Sequence, residues 1–440
     1  MDNREDKINH EIDRPKQKHE FSPDGSRTFM TAPVRTHPWI SFSLETRKLP
    51  AATWIALGEA RSKCEHLAGV PLRPHIAQRL HEIYLAKGIH ATAAIEGNTL
   101  TEGQVFQRIK GKRDLPQSQE YLGREIDNII DAANRIIGRI SKKGFSPISV
   151  DDIKDYNRRI LKGLELEDHV KAGEYRDIDV GVMDYKAPHP KECERLVERL
   201  CQWLNSEDFK SPHKEDTIVF GIIKAIVAHV YFAWIHPFGD GNGRTARLLE
   251  VRFLMEAGVP SAASHLLSNH YSITRMDYYR RLSDASKNGG DMSSFIFYAV
   301  RGLVDQLRKQ LLFVKYQQWG LAWESYVHEA LGTKRTDTAR RQHILLLALS
   351  DRPEPVLKSE LRHLTPKIAE MYATKTPKTL SRDLNELTNK GLITIERDKV
   401  RANKEILLAF LPGARAEDHE AQRAESARLT HEGIQLLFDF

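Results

Sequence analysis

The stretch His236-Pro-Phe-Gly-Asp-Gly-Asn-Gly-Arg-Thr-Ala-Arg247 places a histidine, an acid, three glycines and two arginines within twelve residues. Glycines at alternating positions let backbone N–H groups converge on an anion, because no Cβ stands in the way. An apolar run precedes the stretch and a helical pattern follows it, so the loop also meets a helix N-terminus, which favours phosphate. The stretch therefore predicts an anion-binding loop between two helices.

The charged side chains of the loop narrow the expected anion to a polyphosphate. Arg244 and Arg247 are three residues apart on a helix and share a face, so two guanidinium forks can grip phosphate oxygens. Asp240 adds the hard oxygen ligand through which Mg²⁺ joins phosphates. His236 is a near-neutral base suited to taking a proton from an attacking hydroxyl, and we expect Phe238 to anchor the loop in the core.

Two familiar loop types do not fit the stretch. A calcium loop beginning at Asp240 would have the cation Arg244 at its fifth position and no Glu at its twelfth. A P-loop would need Gly-Lys-Ser/Thr, which does not follow these glycines.

At these residues the sequence resembles the Fic family, whose motif His-x-Phe-x-Asp/Glu-Gly-Asn-Gly-Arg-x-x-Arg is matched at every fixed position. The resemblance implies transfer of AMP from ATP to a hydroxyl of a target protein, with release of pyrophosphate. It implies that His236 is the general base and that Asp240 holds Mg²⁺. The two arginines would bind the β- and γ-phosphates, and the loop residues implied to bind the nucleotide are Asp240, Gly241, Asn242, Gly243, Arg244, Thr245, Ala246 and Arg247.

Two further segments resemble parts of the same family. The β-prone run from Gly173-Glu-Tyr-Arg176 to Pro188-His-Pro190 is similar to a flap that aligns the target segment and covers the nucleotide. Tyr278-Tyr279 resembles a pair beside the adenine, although Ser286 stands where the family often has Asn, and packing within a helix is the alternative for both tyrosines. The flap residues implied to contact the nucleotide are Val180, Gly181, Val182 and Met183.

The segment Thr92-Ala-Ala-Ile-Glu96-Gly97-Asn98 resembles the family's inhibitory motif, Ser/Thr-x-x-x-Glu-Gly/Asn. Glu96 ends a predicted helix over 74–95, and a bidentate bond from Arg247 to its carboxylate would withdraw that arginine from the γ-phosphate. The alternative is a surface carboxylate at a helix C-terminus, where the helix dipole mildly disfavours it.

Helical periodicity predicts a mainly α protein, and the resemblance implies a Fic helical bundle with a short β-hairpin flap. The pattern of the C-terminal residues predicts a small winged helix-turn-helix domain. The tail 1–36 is too charged and too poor in aliphatic residues to fold. The predicted divisions are a disordered tail 1–36, an N-terminal helical region with the inhibitory helix 37–115, the catalytic core 116–332, the winged helix-turn-helix domain 336–412 and a charged tail 413–440.

The C-terminal domain raises a function of another class, a DNA-binding regulator. Helices are expected over 340–349, 358–364 and 380–390, followed by strand-like runs over 392–396 and 405–410. Asp383 and Glu386 on the third helix argue against DNA, and a solvated face or a dimerisation module is the alternative. The side chains expected to meet phosphate are Lys378, Arg382, Asn385 and Lys390 on the helix and Arg397, Lys399 and Arg401 on the wing.

Bulk composition bears on whether the chain binds nucleic acid, is secreted or spans a membrane. A net charge of +6 over 440 residues permits nucleic acid as a partner without indicating it. Three cysteines without a CxxC pair or zinc-ligand spacing favour a reducing compartment, and we expect the cytoplasm. The N-terminus lacks a signal-peptide core, and the apolar run 218–235, interrupted by Lys224 and His229, indicates a core helix rather than a membrane span.

The expected cofactor is Mg²⁺ with ATP as co-substrate, and the expected partners are a target protein, which the sequence does not identify, and the chain itself. A homodimer is a further possibility. Within enzymes, removal of AMP or transfer of another phosphate-containing group is the alternative reaction.

Overall fold

The computed structural model describes residues 36–112, 114–144, 146–182, 185–332, 336–352 and 354–407. All of the predicted tail 413–440, and the predicted tail 1–36 except residue 36, therefore lie outside the described residues. The described chain is mainly helical with small antiparallel sheets, as the sequence predicts.

Eleven α-helices of the described chain precede residue 332. They are α1 (Ala51–Gly69), α2 (Pro74–Ile95), α3 (Glu102–Ile109), α4 (Glu120–Lys143), α5 (Val150–Ile160), α6 (Cys193–Leu204), α7 (Thr217–Ile235), α8 (Asn242–Glu256), α9 (Leu266–Ile273), α10 (Arg275–Lys287) and α11 (Ser293–Leu331).

Local sequence explains the bounds of α2, which carries the predicted inhibitory motif. Pro74 begins the helix, where a missing N–H costs nothing. The helix ends at Ile95, and Gly97 then adopts φ of +101°, a conformation that glycine reaches without strain. Thr101 and Gln104 form a capping box that starts α3. The chain therefore makes a tight turn just after Glu96.

The core is built around α7, whose sequence is apolar on all sides. It packs against α1, α6, α8 and α11, and thirteen of its nineteen residues are buried. The helix, with the turn before it, is long and apolar enough to cross a bilayer by length and composition. Its burial inside the protein is typical of a core helix of a folded domain.

A two-stranded hairpin lies between α5 and α6 and forms the predicted flap. Strand β1 (Gly181–Val182) pairs antiparallel with β2 (Tyr185–Lys186), in the register Gly181 with Lys186 and Val182 with Tyr185. Beyond the strands, the amide of Ala187 donates to the carbonyl of Val180 at 3.1 Å and extends the pairing.

The C-terminal unit holds α12 (Asp337–Ser350), α13 (Pro366–Ala373) and α14 (Pro377–Asn389), with strands β3 (Val356–Leu357), β4 (Ile393–Glu396) and β5 (Lys399–Ala402). The strands form an antiparallel sheet in the order β3-β5-β4. The unit has its own apolar cluster, to which the end of α11 contributes Trp323, Val327 and Leu331. The predicted boundary at 332 thus falls where α11 ends, although that end packs with the C-terminal unit.

Two element predictions in this unit are wrong. The stretch 358–364 holds only a short 3-10 turn, Leu361–His363, and the true second helix is α13, which begins at Pro366 after the N-cap Thr365. The second strand of the hairpin is β5, because Arg397 adopts φ of +58° and turns the chain at once after β4. Of the predicted strand 405–410, residues 408–410 lie outside the described residues. Residues 404–407 form a 3-10 turn.

Close packing of α7 against α8 yields a stability prediction at Gly221. A Cβ at this position would lie 2.0 Å from the Cβ of Ala257. We expect Gly221→Ala to lower the free energy of unfolding by about 1–3 kcal/mol, the usual cost of overpacking. Gly58→Ala is the matched control, because no atom lies within 4 Å of its Cβ and it sits on an exposed helix face. It should be neutral or stabilising by about 0.5–1 kcal/mol. Denaturant melts measure both, and equal effects at the two positions would contradict the packing.

Candidate active site

The loop between α7 and α8 is held in shape by its own side chains. His236 follows α7 with φ of +46°, and Gly241 has φ of +77° just before α8. The amide side chain of Asn242 accepts from the Phe238 N–H at 3.0 Å and donates to the Phe238 carbonyl at 2.8 Å. Phe238 is fully buried, as expected of a loop anchor. The side chain of Asn242 therefore fixes the loop, while its backbone lies at the start of α8.

Arg176, inside the predicted flap segment, joins the flap to this loop. Its Nε donates to the carbonyl of His236 at 2.8 Å and its Nη1 to the carbonyl of Ile178 at 2.8 Å. Its Nη2 donates to the carbonyl of Pro188, and its backbone N–H donates to the carbonyl of Pro237 at 3.0 Å. One buried guanidinium thus ties both ends of the flap to the residue that carries the predicted base.

The imidazole of His236 is kept neutral. Burial lowers its pKa to about 4, with a further lowering by the positive charge of Arg176. The carbonyl of Ala233 lies 3.3 Å from Nδ1 and raises the pKa in part. A proton on Nδ1 bonds to that carbonyl and leaves Nε2 with a free lone pair, the form a general base needs.

The predicted inhibitory contact is formed. Nη2 of Arg247 donates to Oε1 of Glu96 at 2.5 Å and to the carbonyl of Thr92 at 3.0 Å. The bond to the carboxylate is single rather than bidentate. The Arg247 side chain is 1% exposed, and within the described chain its Nε and Nη1 meet no acceptor. A buried cation therefore keeps two unsatisfied donors beside the loop.

Glycine at position 243 permits the approach of the carboxylate. A Cβ there would lie 2.3 Å from Oε1 of Glu96, so any larger residue would displace the acid. Burial acts to raise the pKa of Glu96, but the pKa is lowered overall because Arg247, Arg244 and His236 favour the carboxylate. Glu96 is therefore ionised at neutral pH, and the ion pair is lost only when the pH falls through this lowered pKa.

Arg244, the other arginine of the motif, is held differently. Nη1 of Arg244 donates to Oε1 of Glu125 at 2.6 Å, and Nη2 donates to Oδ1 of Asp240 at 2.8 Å. The same oxygen of Asp240 accepts from the Gly241 N–H at 2.5 Å. Arg244 is 7% exposed and lies behind Asp240 rather than in the cavity wall.

A cavity of about 440 Å³ opens on these residues, a size that accepts a nucleotide. The phosphate-binding loop forms one side of it, and the flap and α10 form the others. Predicted site residues in its wall are Glu96, Val182, His236, Asp240, Gly241, Asn242, Gly243, Arg247, Tyr278 and Tyr279.

The paired tyrosines both line this cavity and pack within the core. Tyr278 is 3% exposed, and its hydroxyl lies 2.8 Å from Nε2 of the buried His229. The Tyr279 hydroxyl donates to the carbonyl of Ile95 at 3.4 Å, at the end of the helix that carries Glu96. Ser286 also lines the cavity, and its hydroxyl donates to the carbonyl of Ser283 at 2.8 Å.

Besides Arg244, four predicted nucleotide-binding residues that the structure describes are not in the cavity wall. Thr245 and Ala246 are fully buried on the core side of α8. Val180 and Gly181 belong to the flap outside the lining. Met183 lies outside the described residues.

The site suits a magnesium ion that arrives with a nucleotide. Among the described residues there is no cluster of three or more metal-ligating side chains. The Asp240 side chain is 47% exposed, lines the cavity and stands beside a helix N-terminus. Magnesium is commonly bound through one or two carboxylates plus phosphate oxygens and water, so one exposed carboxylate fits it.

Three positioning residues escaped the sequence analysis. Asn157 donates to the carbonyl of Asp240 at 2.9 Å and accepts from the Gly173 N–H at 2.9 Å, which ties α5 to the loop and to the flap. Arg176 was assigned only to the flap, and Glu125 lies on α4, 119 residues before its partner. No local pattern distinguishes these side chains from ordinary polar residues of a helix or a loop.

Comparison with known proteins identifies a family domain in the part of the chain that carries this site. Residues 147–254 match the family model described as Fic/DOC family. The chain therefore carries a Fic/DOC family domain, which spans α5 to α8, the flap and the loop described above.

The relatives are named for a single activity. The chain is 33% identical over 213 residues to "Protein adenylyltransferase Fic" from Nematostella vectensis, covering 48% of this chain and 45% of that protein. It is 32% identical over 227 residues to "Protein adenylyltransferase fic-1" from Caenorhabditis elegans, covering 51% and 41% respectively. The chain thus spans less than half the length of these relatives.

A solved structure of Fic-1 from C. elegans is similar in fold. It is 27% identical, with a TM-score of 0.50, and the match covers 60% of this chain and 73% of that one.

Proposed function

We propose that this chain is a protein adenylyltransferase that transfers AMP from ATP to a hydroxyl of a target protein, and that Glu96 restrains it at rest. One observation carries the proposal. The Glu96–Arg247 ion pair lies in the wall of a nucleotide-sized cavity, beside a neutral histidine and a helix N-terminus. A buried arginine with two unsatisfied donors is suited to phosphate once the carboxylate leaves.

The proposed reaction uses the loop as it stands. Nε2 of His236 takes the proton of the target hydroxyl, whose oxygen attacks the α-phosphorus of ATP. The bond from the α-phosphorus to the bridging oxygen breaks, and pyrophosphate leaves. Arg247 and the N-terminus of α8 stabilise the phosphate charge, so the protein contributes positioning and electrostatic stabilisation rather than covalent chemistry.

Magnesium enters the proposal through Asp240. The ion would supply positive charge against the phosphates, and the exposed carboxylate is the group of the loop that would hold it. Arg244 fixes one oxygen of that carboxylate through the 2.8 Å bond, so its role in the resting protein is to orient Asp240.

The proposals on compartment, self-modification and oligomeric state rest on fewer observations. Cys64, Cys193 and Cys201 are buried and unpaired, which suits a reducing compartment such as the cytoplasm. Self-modification is proposed as the first assayable reaction, because the target protein is not identified. A homodimer belongs to the same proposal, and oligomeric state is read from light scattering.

Glu96→Gly should activate the protein. Loss of the competing carboxylate frees Arg247 for phosphate, and we expect self-labelling from [α-³²P]ATP to rise on the order of a hundredfold, the usual effect of one charge-stabilising donor. Label from [γ-³²P]ATP should not transfer, which separates AMP transfer from phosphate transfer. Glu102→Gly, which removes a half-exposed acid at the start of α3, is the control. Equal weak labelling of the parent and the Glu96→Gly variant would refute the restraint.

The pH profile tests His236 as the base. A base works only when deprotonated, so a pKa near 4 predicts that kcat/KM of the Glu96→Gly variant stays level from pH 8 to pH 5.5 and falls below that. Removing Glu96 deletes one interaction that raises the pKa of His236, so the variant shifts further in this direction. His236→Ala in the same background should abolish labelling. An acid limb centred near 6.5, or labelling that survives His236→Ala, would contradict the assignment.

A second candidate function, DNA binding by the C-terminal unit as a winged helix, is favoured by one observation. Asp383, which argues against DNA in the sequence, is 2% exposed and turned inward, where it accepts from Arg341 at 2.7 Å and from the Tyr372 hydroxyl at 2.7 Å. The exposed residues of α14 include Lys378, Arg382 and Asn385, and the exposed Glu386 accepts a hydrogen bond from Gln342 at 2.7 Å. A cationic helix face of this kind suits the phosphates and base edges of a duplex.

A salt-dependent gel shift of the full chain tests this candidate. The double variant Lys378→Ala/Arg382→Ala should weaken binding to a random duplex at least tenfold and reduce the slope of log K against log salt by about 2, close to 0.9 per lost phosphate contact. Arg301→Ala/Lys309→Ala removes two exposed charges from α11 and is the control. Equal binding by both double variants would assign the affinity to net charge alone and exclude a site on α14.

A further inference from the structure

Glu125 joins the phosphate-binding loop to the inhibitory turn. One oxygen, Oε1, accepts from Nη1 of Arg244 at 2.6 Å. The other, Oε2, accepts from Nδ2 of Asn98 at 2.8 Å. The Glu125 side chain is 14% exposed, so this carboxylate is committed to the two partners rather than to solvent.

Asn98 fastens the turn that follows Glu96. Its Nδ2 also donates to the carbonyl of Leu122 on α4 at 3.1 Å, and its Oδ1 accepts from the Leu100 N–H at 3.0 Å. The residue is 8% exposed, so every bond replaces a contact with water. Gly97, with φ of +101°, is the single residue between Asn98 and Glu96. The position of the Glu96 backbone therefore depends on where Asn98 is held.

The two motif arginines are thus restrained from the same turn. Glu96 pairs directly with Arg247, and Asn98 is bonded to the carboxylate that pairs with Arg244. Glu125 lies on α4, which packs against α8, whereas Glu96 lies at the turn after α2. Glu125 therefore stays beside Arg244 when the turn moves. Release of Glu96 frees Arg247 but leaves Arg244 aligned behind Asp240.

We propose that Glu125 is a positioning residue with two effects: it holds Arg244 in line behind Asp240, and through Asn98 it anchors the turn that carries Glu96. The inference rests on the proposed adenylyl transfer and deepens its regulation. Each effect belongs to a separate oxygen of one carboxylate, so each can be removed independently.

Asn98→Ala isolates the anchor, because it leaves the Glu125–Arg244 pair intact. With Glu96 present, we expect self-labelling from [α-³²P]ATP to rise about tenfold, since a lost hydrogen bond to a charged group loosens the turn. In the Glu96→Gly background the same substitution should change labelling by less than twofold, because no restraint is left to release. Thr99→Ala, at the exposed neighbouring position, is the control in both backgrounds. An equal change in both backgrounds, or none in either, would overturn the anchor.

Glu125→Ala in the Glu96→Gly background isolates the positioning of Arg244. We expect KM for ATP to rise about tenfold with kcat changed less than threefold, because Asp240 loses the ordered arginine that orients it towards the magnesium-bound phosphates, while His236 is untouched. Glu125→Gln keeps an acceptor oxygen and should recover most of the affinity, whereas a general packing defect would not be rescued in KM alone. An unchanged KM in Glu125→Ala overturns the positioning role.

The Glu96→Gly and Asn98→Ala variants together distinguish failure of this inference from failure of the proposed function. If Glu96→Gly itself labels no better than the parent, the restraint by Glu96 is wrong. If Glu96→Gly is active but Asn98→Ala does not activate, only the anchor is wrong. Thermal melting reports whether each variant folds. If Glu125→Ala does not fold, Asn98→Ala still tests the inference, because it leaves the buried Glu125–Arg244 ion pair intact.

Discussion

A buried guanidinium is costly unless its charge and its N–H donors are compensated, and Arg247 is the residue at which this constraint governs the whole site. Its side chain is 1% exposed, and Glu96 is its one carboxylate within the described chain. Removing one partner of a buried ion pair costs about 3–5 kcal/mol, so the carboxylate can leave readily only when another anion arrives. A phosphate group at the same donors meets that condition. In the proposed function, the resting and working states differ mainly in which anion Arg247 holds.

The scaffold makes this exchange local. Because α7 and α8 are packed on all sides, the loop between them cannot shift freely, and Asn242, Asn157 and Arg176 pin its carbonyls and amides. The base and the helix N-terminus are therefore already placed in the resting protein. In the proposed function, the part that moves is the short turn after α2, which is tied by Asn98 and contains Gly97 with φ of +101°. A fixed catalytic loop with a movable inhibitory turn allows regulation without disturbing the geometry on which catalysis by positioning depends.

The sequence predicts the parts of this arrangement that are encoded locally. The bounds of α2 and the start of α8 follow from proline, glycine and helical periodicity, and the motif loop is a contiguous set of chemical types. The contact between Glu96 and Arg247 was reached through family resemblance, since 151 residues separate them. Glu125 was missed because its two partners lie on distant segments, and a single glutamate on an amphipathic helix looks like a solvated one. Asp383 was misjudged for the opposite reason: its charge was read as exposed, whereas tertiary packing turns it towards Arg341.

Competition between Glu96 and the outer phosphates for Arg247 is the central claim, and calorimetric binding of two nucleotides tests it most directly. The parent and Glu96→Ala are each titrated, in the presence of magnesium, with a non-hydrolysable ATP analogue and with AMP. The account predicts that Glu96→Ala binds the ATP analogue at least tenfold more tightly than the parent does, while the affinity for AMP, which lacks the outer phosphates, changes less than twofold. Equal tightening for both ligands, or none for the ATP analogue, would contradict it.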